Sequence, residues 1–271
     1  MDSYIEVSFN PVSKEQSEIL IANLADAGYE GFEEKEEELK AFIKKGNYDV
    51  DLIRQLSSVV QTNFAEKEIE NKNWNKEWES NFHPVVVDDY VAVRADFHEP
   101  IPNVQYEIVI TPKMSFGTGH HATTFMMMRQ MQEIDFTNKS VFDFGTGTGI
   151  LAILASKSGA ARVLAIDNDE WSIENAAENF QKNNVVTIDL ELSGIVPADR
   201  VFDIILANIT KNIIMENFSL LYQQLNKNGI LLVSGLLKGD EHEILLEAQK
   251  HSLILHKVQQ QGDWLCLRFL R

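Results

Sequence analysis

Thiol chemistry is nearly absent from this chain, since Cys266 is the one cysteine in 271 residues. That excludes an internal disulfide and a cysteine-rich zinc site. Long apolar runs are missing too. None approaches the roughly 18 residues of a membrane-spanning helix, which excludes an integral helical membrane protein. The N-terminus, Met1-Asp2-Ser3-Tyr4-Ile5-Glu6, has neither a basic region nor an apolar core, so no secretory leader and a cytoplasmic location are expected. Basic residues are outnumbered, with 24 Lys and Arg against 41 Asp and Glu and a formal net charge of -17. Broad electrostatic binding to bare nucleic acid needs cations to neutralise phosphates, so no direct nucleic-acid binding is expected. The same charge suits a basic macromolecular partner and serves solubility in any case. A hydrophobic content of 44% excludes disorder throughout, and the length allows one large domain or two ordinary ones.

The first 65 residues read as a small α+β domain. Ile5, Val7 and Phe9 alternate as on a half-buried strand. Ser13 and Gln16 have the spacing of a capping box, with Ile19, Leu20 and Leu24 following at helical intervals and Gly28 where a helix stops. Two strands joined by the acidic turn Lys35-Glu36-Glu37-Glu38, a helix from Asp49 to Val60 and a strand from Phe64 to Ile69 complete the β-α-β-β-α-β order of the ferredoxin-like pattern. Residues 66–83 form a charged connector. Its Trp74, Trp78 and Phe82, spaced by four, share one face of a helix. From Pro84 onward the chain is predicted to form a third segment, residues 84–271. It opens with strands at Val85–Arg94 and Tyr106–Thr111, followed by strands alternating with helices, which makes a doubly wound α/β sheet covered on both faces. The last two strands, joined through Gly262-Asp263, make an antiparallel hairpin at its edge.

The strongest chemical signal is Val141-Phe142-Asp143-Phe144-Gly145-Thr146-Gly147-Thr148-Gly149, a strand running into a turn with alternate glycines that opens a helix. Such a turn lets a ligand approach the backbone, and the free N–H groups of the helix hold a pyrophosphate or equally a carboxylate. Asp167 ends the next strand, 22 residues after Gly145, where a carboxylate accepts hydrogen bonds from both ribose hydroxyls. Asp169 is read as a helix cap. Two cofactors compete here. Read from Gly147, the run Gly147-Thr148-Gly149-Ile150-Leu151-Ala152 satisfies the dinucleotide fingerprint, so a nicotinamide dehydrogenase stays open. Asp143 favours S-adenosylmethionine, because a carboxylate there attracts an ammonium and repels a pyrophosphate.

Asn208 ends a later strand in the run Ala207-Asn208-Ile209-Thr210. Its acceptor and donors suit orienting an amine, while a helix cap by Asn208 or Thr210 is the competing reading. The loop from Met114 to Thr124 is dense in Gly, His and Thr. It reads as a cofactor-contacting lid more readily than as a metal site, because His120 and His121 lack a carboxylate or thiol companion. Met126, Met127, Met128 and Met131 read as core packing.

The runs Ser115-Phe116-Gly117-Thr118-Gly119-His120-His121-Ala122-Thr123-Thr124 and Asp143-Phe144-Gly145-Thr146-Gly147-Thr148-Gly149, with Asp167 and Ala207-Asn208-Ile209, resemble the ribosomal protein L-eleven methyltransferase (PrmA) family. The resemblance covers most of the chain. It implies a class I, Rossmann-like methyltransferase domain at 84–271 and a ferredoxin-like substrate-recognition domain at 1–65. It also implies S-adenosylmethionine as methyl donor, with the N-terminal α-amine and lysine side chains of the ribosomal protein as acceptors. By position, Thr124, Gly145, Asp167 and Asn208 match cofactor-contacting residues and Phe116 an aromatic near the methyl group. Asp143, Gly147 and Gly149 complete the expected cofactor set. His120 and Ala122 depart from the threonine and proline common in relatives. The implied reaction is an in-line displacement on the sulfonium methyl by a deprotonated amine, promoted by alignment and exclusion of water, with no metal. A cofactor-sensing scaffold without catalysis is the alternative of a different class.

Overall fold

A computed structural model describes residues 4–69, 82–112, 119 and 121–271. The chain divides into two compact units, Met1–Phe82 and His83–Arg271. Phe116, Trp74 and Trp78, together with the helix expected for the connector, lie outside the described residues.

In the first unit, β1 (Tyr4–Asn10), β2 (Gly31–Lys35), β3 (Glu38–Lys44) and β4 (Asn63–Ile69) form an antiparallel sheet in the order β2-β3-β1-β4. Helices α1 (Lys14–Asp26) and α2 (Val50–Val60) complete the β-α-β-β-α-β order. The capping box is made in both directions. The Gln16 amide donates to Ser13 Oγ at 3.3 Å and the Ser13 amide to Gln16 Oε1 at 2.7 Å. Val7, Phe9, Leu39, Ala41 and Ile43 from the sheet close on Leu20, Leu24, Ile53 and Val60 from the helices.

The second unit opens with a small sheet of β5 (Val85–Val87), β6 (Val91–Ala95) and β7 (Tyr106–Ile110). The single strand expected over Val85–Arg94 is two strands. Asp88 takes a positive φ of 49° and folds β6 back antiparallel on β5, because the aspartate pair interrupts the valines with a turn.

The large sheet follows, with β8 (Ser140–Phe144), β9 (Arg162–Asp167), β10 (Ile188–Leu192), β11 (Phe202–Asn208), β12 (Leu225–Leu237), β13 (Ile254–Gln261) and β14 (Trp264–Leu270). Their spatial order is β10-β9-β8-β11-β12-β14-β13. The first five are parallel and the β13–β14 hairpin adds antiparallel to β12. Among the described residues α3 (Ala122–Met131), α4 (Ile150–Lys157), α5 (Glu170–Lys182), α6 (Lys211–Gln224) and α7 (Glu241–Lys250) cover it. On one face Ile214, Phe218 and Leu221 of α6 and Ile244 of α7 pack on Phe142, Ile205, Ala207 and Val233. The alternate residues Val141, Ile204, Leu206 and Leu232 are buried as well, so the parallel strands are apolar on both sides. All four methionines of the 126–131 run are fully buried. Among the described residues no helix is long and apolar enough to cross a membrane.

The connections from β8 run outward through β9 to β10, and the chain then returns to β11 on the other side of β8. That reversal opens a crevice at the carboxyl ends of β8 and β11, where open α/β sheets bind ligands.

Candidate functional site

The glycine turn lies in that crevice. The amides of Gly145 and Thr146 both donate to the Ile166 carbonyl at 2.9 Å, tying the turn to the end of β9. The Gly147 amide donates to Asp167 Oδ2 at 2.8 Å, and Asp167 Oδ1 accepts from the Asp169 amide at 3.1 Å. Gly149 is the N-cap residue of α4 and offers no side chain. The Ala152 amide turns to Asp143, which leaves the amides of Ile150 and Leu151, both lining a narrow recess of the crevice, to a ligand.

A cavity of about 540 Å³ opens here. Gly145, Gly147, Asp167, Asn208, Glu216 and Trp264 are among its lining residues, and a narrow recess beside it is lined by Thr124, Thr148 and again Asn208. Of the expected site residues, Thr124, Gly145, Gly147, Asp167 and Asn208 are thus brought together. Gly149 and Asp143 line neither space, and Phe116 lies outside the described residues. Glu216 and Asp167 are carboxylates, and among the described residues no Lys or Arg lines the cavity.

Asn208 Nδ2 donates to Thr124 Oγ1 at 3.1 Å, while its Oδ1 is buried without a partner. A buried acceptor lacking a donor is costly, and a ligand N–H relieves it. The capping position of α6 belongs to Thr210, so Asn208 is not committed to a helix end. Asp169 does cap α5, accepting from the Ser172 amide at 3.0 Å. His121 caps α3 by accepting from the Thr123 amide at 3.3 Å, and its ring meets Trp264 edge-on at 4.7 Å. Among the described residues no group of three His, Cys, Asp or Glu side chains is placed to hold a metal.

Asp143 is buried under the turn, and Thr146 Oγ1 donates to its Oδ2 at 2.6 Å. Burial lifts its pKa from 3.8 to about 7. The Thr146 hydroxyl opposes the rise, the Asp167 charge adds to it, and the Ala152 amide opposes it weakly. A folded chain that holds this proton more tightly than the unfolded chain loses stability as pH climbs from about 4 to about 7. Below that window both states are protonated and the effect vanishes. Asp143→Asn is therefore expected to raise the melting temperature of the ligand-free chain at about pH 8 and leave it nearly unchanged at about pH 4. Thermal melts at the two pH values check this, and an equal change at both would contradict it.

Sequence reasoning missed the contact that sets the crevice width. Gly145 has φ +76°, and a Cβ there would lie 2.2 Å from Ile209 Cγ2. Gly235 has φ +83°, and a Cβ there would lie 2.2 Å from the Ile209 carbonyl oxygen. Ile209 is thus held between the glycine turn and a bulge in β12, where pairing with β14 shifts between Ser234 and Leu236. The glycine inside the apolar run Ile230–Leu237 was the available signal.

The family model described as ribosomal protein L11 methyltransferase (PrmA) matches residues 5–271. A protein of that name from Bacteroides fragilis is 34% identical over 98% of this chain and 99% of its own length. One from Porphyromonas gingivalis is 37% identical over 93% of this chain and 90% of its own. The crystal structure of a ribosomal protein L11 methylase from Lactobacillus delbrueckii subsp. bulgaricus aligns with a TM-score of 0.65 at 29% identity, covering 69% of this chain and 98% of that one.

Proposed function

The chain belongs to the ribosomal protein L11 methyltransferase family, and from that premise we propose how its crevice methylates amines of that ribosomal protein. It is an S-adenosylmethionine-dependent protein methyltransferase, and L11 is the substrate its family implies. The residues present fit that donor. The lining carries two carboxylates against a cationic ligand, Asn208 Oδ1 lacks a hydrogen-bond donor, and the N-terminus of α4 has no side-chain cap. When bound, S-adenosylmethionine would supply a methyl group activated by its sulfonium, with the neutral thioether as leaving group for in-line attack by a neutral amine.

Asp167 keeps lone pairs free beyond its two backbone bonds and accepts from ribose hydroxyls. The first amides of α4 receive the carboxylate of the methionyl tail. Asp143 acts from beneath the turn by fixing Thr146. The observation that carries the proposal is Asn208, held by Thr124 at the carboxyl end of β11 and facing the cavity. From there its Oδ1 orients the acceptor amine. Ile209, Ile213 and Trp264 supply apolar wall that excludes water, and desolvation lowers the amine pKa toward the neutral, nucleophilic form. A lysine titrates near 10.4 and an α-amine at about 7.7–8.0, so lysine depends more on that wall. Phe116 is proposed as a further apolar neighbour of the methyl group.

The acceptors proposed are the N-terminal α-amine and lysine ε-amines of L11. Tandem mass spectrometry of L11 incubated with enzyme and S-adenosylmethionine tests this. Methyl groups on those amines are expected, and transfer confined to other side chains overturns it. A net charge of -17 against a basic partner adds a second expectation. Raising ionic strength from about 0.01 M to about 0.1 M shortens the screening length from about 30 Å to about 10 Å. The KM for L11 is expected to rise several-fold while kcat holds, and a salt-independent KM would point to apolar docking.

A further inference from the structure

Helix α5 carries asparagines at 175 and 179 and ends on the C-cap Asn183, one per turn, on a face where helical periodicity calls for apolar residues. All three are buried, and a buried amide is retained at low cost only when it is bonded. Asn175 Oδ1 accepts from Asn179 Nδ2 at 3.3 Å, while its own Nδ2 has no partner. Asn183 serves β7. Its Oδ1 accepts from the Val109 amide at 3.0 Å and its Nδ2 donates to the Val109 carbonyl at 2.7 Å. Asn179 reaches further. Its Oδ1 accepts from the Thr111 amide at 2.8 Å, just past β7, and its Nδ2 donates to the Thr148 carbonyl at 2.8 Å. Thr148 stands between Gly147 and Gly149 and lines the recess. The peptide joining Thr148 to Gly149 is thereby held at both ends, its carbonyl by Asn179 and its N–H by the Thr146 carbonyl at 2.9 Å.

We propose that Asn179 is a positioning residue for the cofactor turn. It fixes the peptide plane at the entrance to α4 and so presets the amides that receive the ligand. Preorganised donors cost no rearrangement on binding. The two asparagines share the β7 edge, but only Asn179 also holds the turn, so Asn183 serves as the internal control. The proposal rests on the reading that this turn holds S-adenosylmethionine.

The test uses the full chain with Asn179→Ala, Asn179→Asp and Asn183→Ala. Melting temperature, calorimetric Kd for S-adenosylmethionine and amide hydrogen exchange at Gly149 are read for each. Both alanine variants are expected to melt earlier. Only the Asn179 variants are expected to raise Kd, by about ten-fold or more, because they remove the Nδ2 donation to the Thr148 carbonyl at 2.8 Å that fixes the peptide plane. Asn179→Asp keeps the acceptor for Thr111 but sets a buried carboxylate oxygen against the Thr148 carbonyl, so at neutral pH it weakens binding at a cost in stability at least as large as that of Asn179→Ala. Faster exchange at Gly149 is expected in the Asn179 variants and not in Asn183→Ala. Kd values for both Asn179 variants within about two-fold of the Asn183→Ala value overturn the proposal. A wild-type chain that ignores S-adenosylmethionine overturns the underlying reading, while the ligand-free exchange comparison still decides whether Asn179 holds the turn.

Discussion

Gly235→Ala is expected to cut kcat/KM with L11 by about a hundredfold or more, because displacement of a positioning segment by about 1 Å is enough for that loss. The new Cβ would stand 2.2 Å from the Ile209 carbonyl oxygen and 2.8 Å from its carbon, so backbone rather than a side-chain tip must yield. Ile209 follows Asn208 directly, and its Cγ2 already crowds Gly145. Displacement therefore reaches both walls of the crevice. Strain at a positive φ adds to the overpacking, for a stability loss of about 3 kcal/mol. Steady-state kinetics alongside a thermal melt read both effects. Wild-type kcat/KM in a well-folded Gly235→Ala chain would show that Ile209 does not set the crevice.

The second large effect is on turnover. Asn208→Ala is expected to lower kcat by about a hundredfold with a smaller change in S-adenosylmethionine affinity, since an amine left unaligned loses most of the benefit of proximity. Asn208→Asp separates the two sides of the amide. It keeps an oxygen toward the amine and loses the donation to Thr124 at 3.1 Å, so an intermediate kcat is expected. Turnover by Asn208→Ala equal to wild type would remove Asn208 from the mechanism.

The doubly wound sheet was legible because local signals agree with one another. The apolar strand at Val141, the alternate glycines and Asp167 each depend on neighbours a few residues away, and so does the Ser13–Gln16 box. What escaped was non-local. Nothing near Gly235 in sequence announces that Ile209 will lie against it, and nothing near Asn179 announces Thr148 across 31 positions. The break of β5 from β6 was misread for the opposite reason. Valine-rich residues on either side outweighed the short Asp88-Asp89 turn signal. His121 and Trp264 lie far apart in the chain, and only closure of the β13–β14 hairpin sets their rings 4.7 Å apart. Asp143 was expected to face the ligand ammonium, yet it is buried beneath the turn and bonded to Thr146, because its burial, and hence its raised pKa, depends on elements remote from it in sequence.

Calorimetric titration of the full chain with S-adenosylmethionine, run beside NAD, tests the central claim most directly. One molecule of S-adenosylmethionine per chain is expected to bind, Asp167→Ala is expected to weaken that binding at least about ten-fold through the lost ribose contacts, and NAD should give no heat. Heat with NAD and none with S-adenosylmethionine would contradict the account.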